Sequence, residues 1–152
     1  MTDRSANANQ RRRSGFRTLI GYTTRVWAEN YGEVELLIGP QHLNTLDIVH
    51  GGIYATLLDA AFGHAVSFCT VPGNVRRSTT VSLTTSYLKG SKGGRLIASA
   101  RVNAVDGRIA TCSGEVRQDD GTLLALGQGS FMYFPGSERP EGLPRNLEAA
   151  KA

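Results

Sequence analysis

The chain has 152 residues, 40% of them hydrophobic and 20% charged, with a net charge of +4 and two cysteines. That length suits one domain with one core, and no run of about 18 apolar residues free of charge is present, so no membrane-spanning helix is expected. Cys69 and Cys112 show neither Cys-x-x-Cys nor Cys/His ligand spacing, which reads as two free thiols in a reducing cytoplasm and leaves no candidate metal site.

Residues 1–15 read as a disordered basic leader. They carry Arg11, Arg12 and Arg13 but no apolar segment after them, so they do not form a secretory signal. A basic end of this kind can hold nucleic acid; three arginines in a polar terminus are more simply a solvated tail. LIGYTTRVWAE and YGEVELLIG, with Asn30 at the turn between them, read as a strand pair. PQHLNTLDIV is a loop. GGIYATLLDAAFGHAVSFC reads as one helix of about five turns, apolar on nearly all sides and therefore buried, ended by Pro72 and Gly73.

The hydrophobic period then becomes two. STTVSLTTSYL, GRLIASARVNAV, RIATCSGEVRQ and TLLALGQGSFMYF read as four long strands, with Asp-Gly turns at residues 106–107 and 120–121 as hairpin signals. Residues 136–152, polar and Pro-containing, read as a flexible tail. Two strands, one buried helix and four antiparallel strands make an α+β domain over residues 16–135, with the helix lying across a curved antiparallel sheet.

One residue in the helix does not suit a core. An unpaired buried carboxylate costs several kcal/mol, so Asp59 is either paired or used. As a used group it is a general base for water or a nucleophile; as a paired group it is structural. Gly51 opens the helix, where unpaired N–H donors and the dipole favour developing negative charge; alternatively Gly51 and Gly52 only turn the chain into the helix. Eight residues of helix separate Gly51 from Asp59, about 12 Å at 1.5 Å per residue. Groups acting on one carbonyl carbon must lie about 3 Å from it. A site using both therefore takes Gly51 from one subunit and Asp59 from another, which predicts a homodimer with two equivalent sites.

The arrangement of Asn44, five residues, His50-Gly51-Gly52, six residues and Asp59, followed by TTVSLTTSYLKGSKGGRLIASARV and DGR, resembles the PaaI-type acyl-CoA thioesterases of the hot-dog fold. The likeness covers about residues 17–134. It implies the hot-dog fold, hydrolysis of an acyl-CoA to acid and free CoA, sites shared between paired protomers, and tetramers built as dimers of dimers. It assigns Asn44 to hold the attacking water or the thioester oxygen; otherwise Asn44 is a turn former. It places Thr80, rather than Thr79, beside the acid, because neighbouring residues on a strand face opposite ways. His50 supports the loop before the helix. His64, five residues past Asp59, does not closely share its face, and His42 is an exposed loop residue.

No cofactor is implied beyond the CoA of the substrate. Its phosphates suit Lys89, Lys92, Arg95 and Arg108, with the backbone of Gly90 and with Arg76 and Arg77 as further candidates; the same cations are otherwise solvated strand ends. Tyr54, Leu58, Phe62 and Leu46 are candidate walls for the acyl group, and each is equally a core residue; Gly52 is a further substrate-binding candidate. The PaaI likeness points to aromatic acyl groups such as phenylacetyl or hydroxybenzoyl, and relatives also take medium or long fatty chains. The competing reading is a hot-dog module that binds acyl-CoA without turning it over. A hot-dog hydratase would carry an Asp/His pair in a different motif, which is absent here.

Overall fold

The computed structural model describes residues 14–145. The basic run Arg11–Arg13 and the last seven residues lie outside them. The first described element was not expected. Ser14 caps a short helix, α1 (Gly15–Ile20), by accepting a hydrogen bond from Arg17 N at 3.1 Å, and Gly21 ends it with φ +90°. Leu19 and Ile20, read from the sequence as the start of a strand, belong to this helix; the local Ser and Gly caps outweigh two apolar residues.

The strands follow as β1 (Thr23–Ala28), β2 (Tyr31–Leu37), β3 (Asn74–Val75), β4 (Ser78–Tyr87), β5 (Arg95–Asp106), β6 (Ile109–Gln118), β7 (Leu123–Tyr133) and β8 (Leu143–Pro144), with the long helix α2 (Gly51–Ser67) between β2 and β3. Six of them form one sheet in the order β1-β2-β5-β6-β7-β4, and each neighbouring pair is antiparallel. This is the hot-dog arrangement, one helix lying along a wrapped antiparallel sheet. Edge strand β4 pairs with β7, the strand furthest from it in sequence among the last four of this sheet.

Helix α2 buries Ile53, Tyr54, Leu57, Leu58, Ala61, Phe62, Ala65 and Val66. Each large apolar side chain among them contributes roughly 1.5–3 kcal/mol by leaving water. The sheet makes room with glycine. A Cβ on Gly114 would stand 2.8 Å from Phe62 Cε1, and one on Gly32 would stand 2.6 Å from the Ala61 carbonyl oxygen. These glycines let the strands approach the helix closely. The helix is not buried all round, as its composition suggested: Ala55, Thr56, Asp59, Ala60, Gly63, His64 and Ser67 form a half-buried stripe. The sheet wraps one side only, and the other side is left for the site.

The chain after β7 corrects a second expectation. Residues 136–145 are docked. The Arg76 guanidinium donates to the carbonyls of Ser137 (3.0 Å), Glu138 (3.1 Å) and Phe68 (3.2 Å), and stacks 4.5 Å from the Tyr133 ring centroid. β8 pairs with β3, and Thr70 N donates to Pro140 O at 2.9 Å. One arginine in the strand-leading segment thus replaces the hydrophobic anchor that the polar tail lacks. Cys69 and Cys112 are both free and buried, and burial pushes the Cys112 thiol up to about 12.

Candidate active site

Asp59 sits on the open stripe of α2, and Thr80 comes to it from the sheet. Thr80 Oγ1 donates to Asp59 Oδ1 at 2.7 Å. The two residues are 21 apart in sequence, and the contact exists because edge strand β4 crosses the open side of the helix. The carboxylate is therefore a half-exposed acceptor with one hydroxyl partner, not an ion-paired core residue. Replacing Thr80 with valine removes that donor while keeping the shape. Turnover is then expected to fall about tenfold, the equivalent of one net hydrogen bond, and thiol release from an acyl-CoA measures it.

Asp59 opens onto a cleft of about 630 Å³ lined by Arg17, Tyr22, Trp27, Ala60, Gly63, His64, Arg76, Arg77, Phe131 and Phe134 among others. Its lining mixes aromatic rings, Trp27 and Phe131 buried and Phe134 exposed, with three arginines, of which Arg17 is buried. Burial pushes the Tyr22 phenol up, the Arg17 guanidinium pulls it back, and the Asp59 charge pushes it further up, so Tyr22 stays neutral beside the carboxylate. His64 Nδ1 meets the Ala60 carbonyl at 2.7 Å and must carry the proton, because a carbonyl only accepts. In the neutral ring, Nε2 then accepts from the Thr24 hydroxyl at 2.8 Å, which itself accepts from Arg17 Nη2 at 3.3 Å. His64 and Asp59, judged from spacing to face apart, line the same cleft, because the cleft is wide enough to span both. Arg17, Tyr22 and Trp27 were missed in the sequence. They lie in segments with no motif, and only the fold brings them to Asp59.

Gly51 lies at the other end of the helix. His50 caps it, its Nδ1 accepting from Gly52 N at 2.9 Å; His50 thus has the supporting place expected of it. The Gly51 N–H has no acceptor among the described residues, and Gly51 does not line the Asp59 cleft. Within one protomer the two halves are apart, as the helix rise requires. Asn44 fastens the preceding loop, its Oδ1 accepting from Leu46 N at 2.9 Å and Ile48 N at 3.4 Å. That is the turn-forming use of an asparagine. His42, expected to be exposed, is buried at 2% exposure and joins Gly39 N to the Ile20 carbonyl. The buried imidazole thus ties this loop to the segment after α1.

The proposed wall residues divide. Leu58 and Phe62 are fully buried under the sheet and do not line the cleft; Leu46 is 74% exposed on the loop. Tyr54 is buried and meets Tyr87 edge to face, with centroids 6.0 Å apart. The proposed phosphate cations divide too. Lys89, Gly90 and Lys92 follow β4 in a segment that lies against the loop leading to Gly51: Val49 N donates to Ser91 O at 2.8 Å, and Gly90 faces Ile48. Arg95 is at the same end of the sheet but pairs with Glu35 at 3.0 Å. Arg108 is at the opposite end, donating to the Tyr133 carbonyl at 3.4 Å. A second hollow, about 690 Å³, lies on the sheet face away from the helix. Within it Arg117 binds Glu115 at 2.6 Å and Arg101 stacks on Tyr31, and it holds neither half of the motif. Among the described residues there is no cluster of His, Cys, Asp and Glu suited to a metal ion, and no helix long and apolar enough to cross a membrane.

The fold defines a class, and comparison with known proteins agrees: the chain belongs to the Thioesterase superfamily, whose family model matches residues 46–125, just over half of the sequence. An Archaeoglobus fulgidus protein carrying an esterase name is 33% identical over 103 residues, which are 67% of this chain and 64% of that relative, so this chain spans less than two thirds of the relative's length. A Bacillus halodurans protein solved with CoA is 32% identical, with a TM-score of 0.70 and coverage of 85% of this chain and 82% of that one. The phenylacetic acid degradation protein PaaI of Thermus thermophilus, solved as a mutant, is 25% identical, with a TM-score of 0.70 and coverage of 80% of this chain and 100% of that one.

Proposed function

We propose that this protein is an acyl-CoA thioesterase whose sites are completed between two protomers. The observation that carries the reading is Asp59, held by Thr80 at 2.7 Å on the open side of an otherwise apolar helix. In the reaction, a water attacks the thioester carbonyl carbon and gives a proton to the Asp59 carboxylate. The oxygen gathers negative charge against the Gly51 N–H of the other protomer. The carbon–sulfur bond then breaks, the thiolate of CoA takes the proton, and acid and CoA leave. The same carboxylate can instead add directly to the carbonyl and expel the CoA thiolate, which takes up a proton; water then opens the resulting anhydride to the acid and the free carboxylate. Neither route calls for a cofactor, because the carboxylate supplies the base or the nucleophile.

Strand β4 supports the pairing. It is a ten-residue edge whose outer N–H and C=O groups face no neighbour in the sheet, and it exposes Val81 at 57%. An edge of that length invites another strand. Two β4 strands joined antiparallel place the Thr80 end of one beside the Tyr87 end of the other, and so bring Asp59 of one protomer toward Gly51 of its partner. Pairs of such dimers, as the family resemblance implies, are a further step. The acyl group proposed is aromatic, phenylacetyl or hydroxybenzoyl, or a medium or long fatty chain. The likeness to PaaI and the aromatic lining of Tyr22, Trp27, Phe131 and Phe134 support the aromatic class. CoA in the Bacillus halodurans relative supports the carrier, with Lys89, Gly90 and Lys92 placed nearest Gly51 to take its phosphates. Two buried free thiols support a cytoplasmic setting.

Mixed dimers test the sharing. Gly51→Pro removes one N–H; proline is tolerated at the first helical position, and His50 already has the extended φ −61° and ψ 136° that precede proline. Alone, Gly51→Pro and Asp59→Asn are each expected to be nearly inactive. Refolded together in equal amounts, half the dimers are mixed and each mixed dimer has one intact site, so about a quarter of wild-type turnover returns. No recovery in mixtures shown to contain mixed dimers would refute a shared site. Bound CoA esters with no turnover by the wild type would leave a binding module instead.

A further inference from the structure

A bulge in β4 explains why one strand serves both ends of the helix. Thr80 and Tyr87 are seven residues apart, which in a regular strand puts them on opposite faces. The pairing with β7 slips between Thr80 and Ser82: Thr80 opposes Phe131, Ser82 opposes Ser130, and Tyr87 opposes Ala125. Val81 is the extra residue. The slip turns Tyr87 to the helix side, the side Thr80 already faces. Bulges are common beside active sites, where they re-aim side chains.

The re-aimed ring arrives at Gly51. A Cβ built on Gly51 would meet Tyr87 first, with Cε1 and Cζ at 3.4 Å and the hydroxyl oxygen at 3.6 Å. That Cβ position is about 2.5 Å from the Gly51 nitrogen by covalent geometry. The hydroxyl therefore stands within about 6 Å of the N–H, close to the span bridged by two donors that share one oxygen at about 2.8 Å from each. Tyr54, on the first turn of α2, holds the ring edge to face, yet Tyr87 remains 56% exposed. Neither the Tyr87 hydroxyl nor the Gly51 N–H has an acceptor among the described residues.

We infer that the Tyr87 hydroxyl is a second donor to the thioester oxygen, beside the Gly51 N–H of the same protomer. This rests on the reading of Gly51 as the first donor. One N–H holds a developing oxyanion weakly; two donors fix both its charge and its direction. Each strand β4 then supplies one group to each of the two shared sites: Thr80 to its own protomer's carboxylate, and Tyr87 to the oxygen of the thioester whose carbon is attacked with the help of the partner's carboxylate. The sequence alone does not show this, because strict alternation over 78–87 assigns Tyr87 to the wrong face.

The experiment compares wild type, Tyr87→Phe, Tyr87→Leu and Asp59→Asn by thiol release from phenylacetyl-CoA and hexanoyl-CoA. Free CoA serves as the competitive inhibitor, and oligomer size is checked for each variant. Tyr87→Phe keeps the ring and its packing on Tyr54. It is expected to lower kcat about a hundredfold, as loss of one oxyanion donor does, with KM and the inhibition constant of CoA unchanged. Tyr87→Leu is expected to be no more active. Full kcat in Tyr87→Phe with loss in Tyr87→Leu makes the ring a packing group and overturns the inference, while the thioesterase reading stands if Asp59→Asn is inactive. An inactive wild type overturns both.

Discussion

Asp59→Asn is expected to lower turnover of an acyl-CoA by roughly a hundredfold or more, the usual loss when an acid–base group is removed, while leaving fold and oligomer size unchanged. The reason for the second half is geometric. Asparagine keeps the Oδ1 that accepts the Thr80 hydroxyl at 2.7 Å, and at this half-buried position the amide reaches solvent. What disappears is the carboxylate that can take a proton from water and release it within one turnover; the neighbouring His64 ring meets Ala60 and Thr24 through its two nitrogens. Thiol release followed with a chromogenic disulfide reagent measures the rate. A correctly assembled Asp59→Asn protein with wild-type turnover would show that the carboxylate is a structural partner of Thr80 and that the base lies elsewhere.

Gly32→Ala is expected to destabilise the domain by about 1–3 kcal/mol or more, the range for overpacking a filled interior. The added methyl would stand 2.6 Å from Ala61 O, 2.7 Å from His64 Cβ and 2.9 Å from Ala65 N. Two of these three atoms are backbone of α2, so no side-chain rotation relieves the contact. Either the helix lifts off the sheet or β2 bends away from it, and both uncover the apolar face of α2. Gly63→Ala is the control on the same helix. Nothing lies within 4 Å of its new methyl, and replacing a helical glycine by alanine is worth about 0.4–1 kcal/mol of added stability where the conformation allows it. Urea unfolding of the two variants measures both. Equal, small effects would show that the helix does not rest on Gly32, and a destabilising Gly63→Ala would show that the open stripe is occupied.

The two variants also mark where the sequence is informative. A helix with an acid in its middle was legible from composition and period, and so was the chemical reason to suspect Asp59. The side of that helix left open was not. Gly32 on β2 and Gly114 on β6, far apart in the chain, decide it by letting the sheet close on one face. The four long strands were legible from alternation and Asp-Gly turns. Their partners were less so: β4 pairs with β7, and the Val81 bulge breaks the alternation from which faces were read. Resemblance to the family put Thr80 near the acid, and the fold brings its hydroxyl to Asp59 at 2.7 Å. Leu58 and Phe62 were assigned to the acyl wall, but the glycines beneath them take them into the core.

What the sequence by itself determined is local: the long helix, the strands and their turns, a carboxylate that needed a reason, and a spacing between Gly51 and Asp59 too long for one protomer to close. Each follows from interactions within a few residues or from fixed backbone rise. Only the tertiary structure decided the cleft beside Asp59, the arginine that docks residues 136–145, and the bulge that turns Tyr87 toward Gly51. Those depend on contacts between segments far apart in the chain, where packing and strand register, rather than propensity, select the outcome.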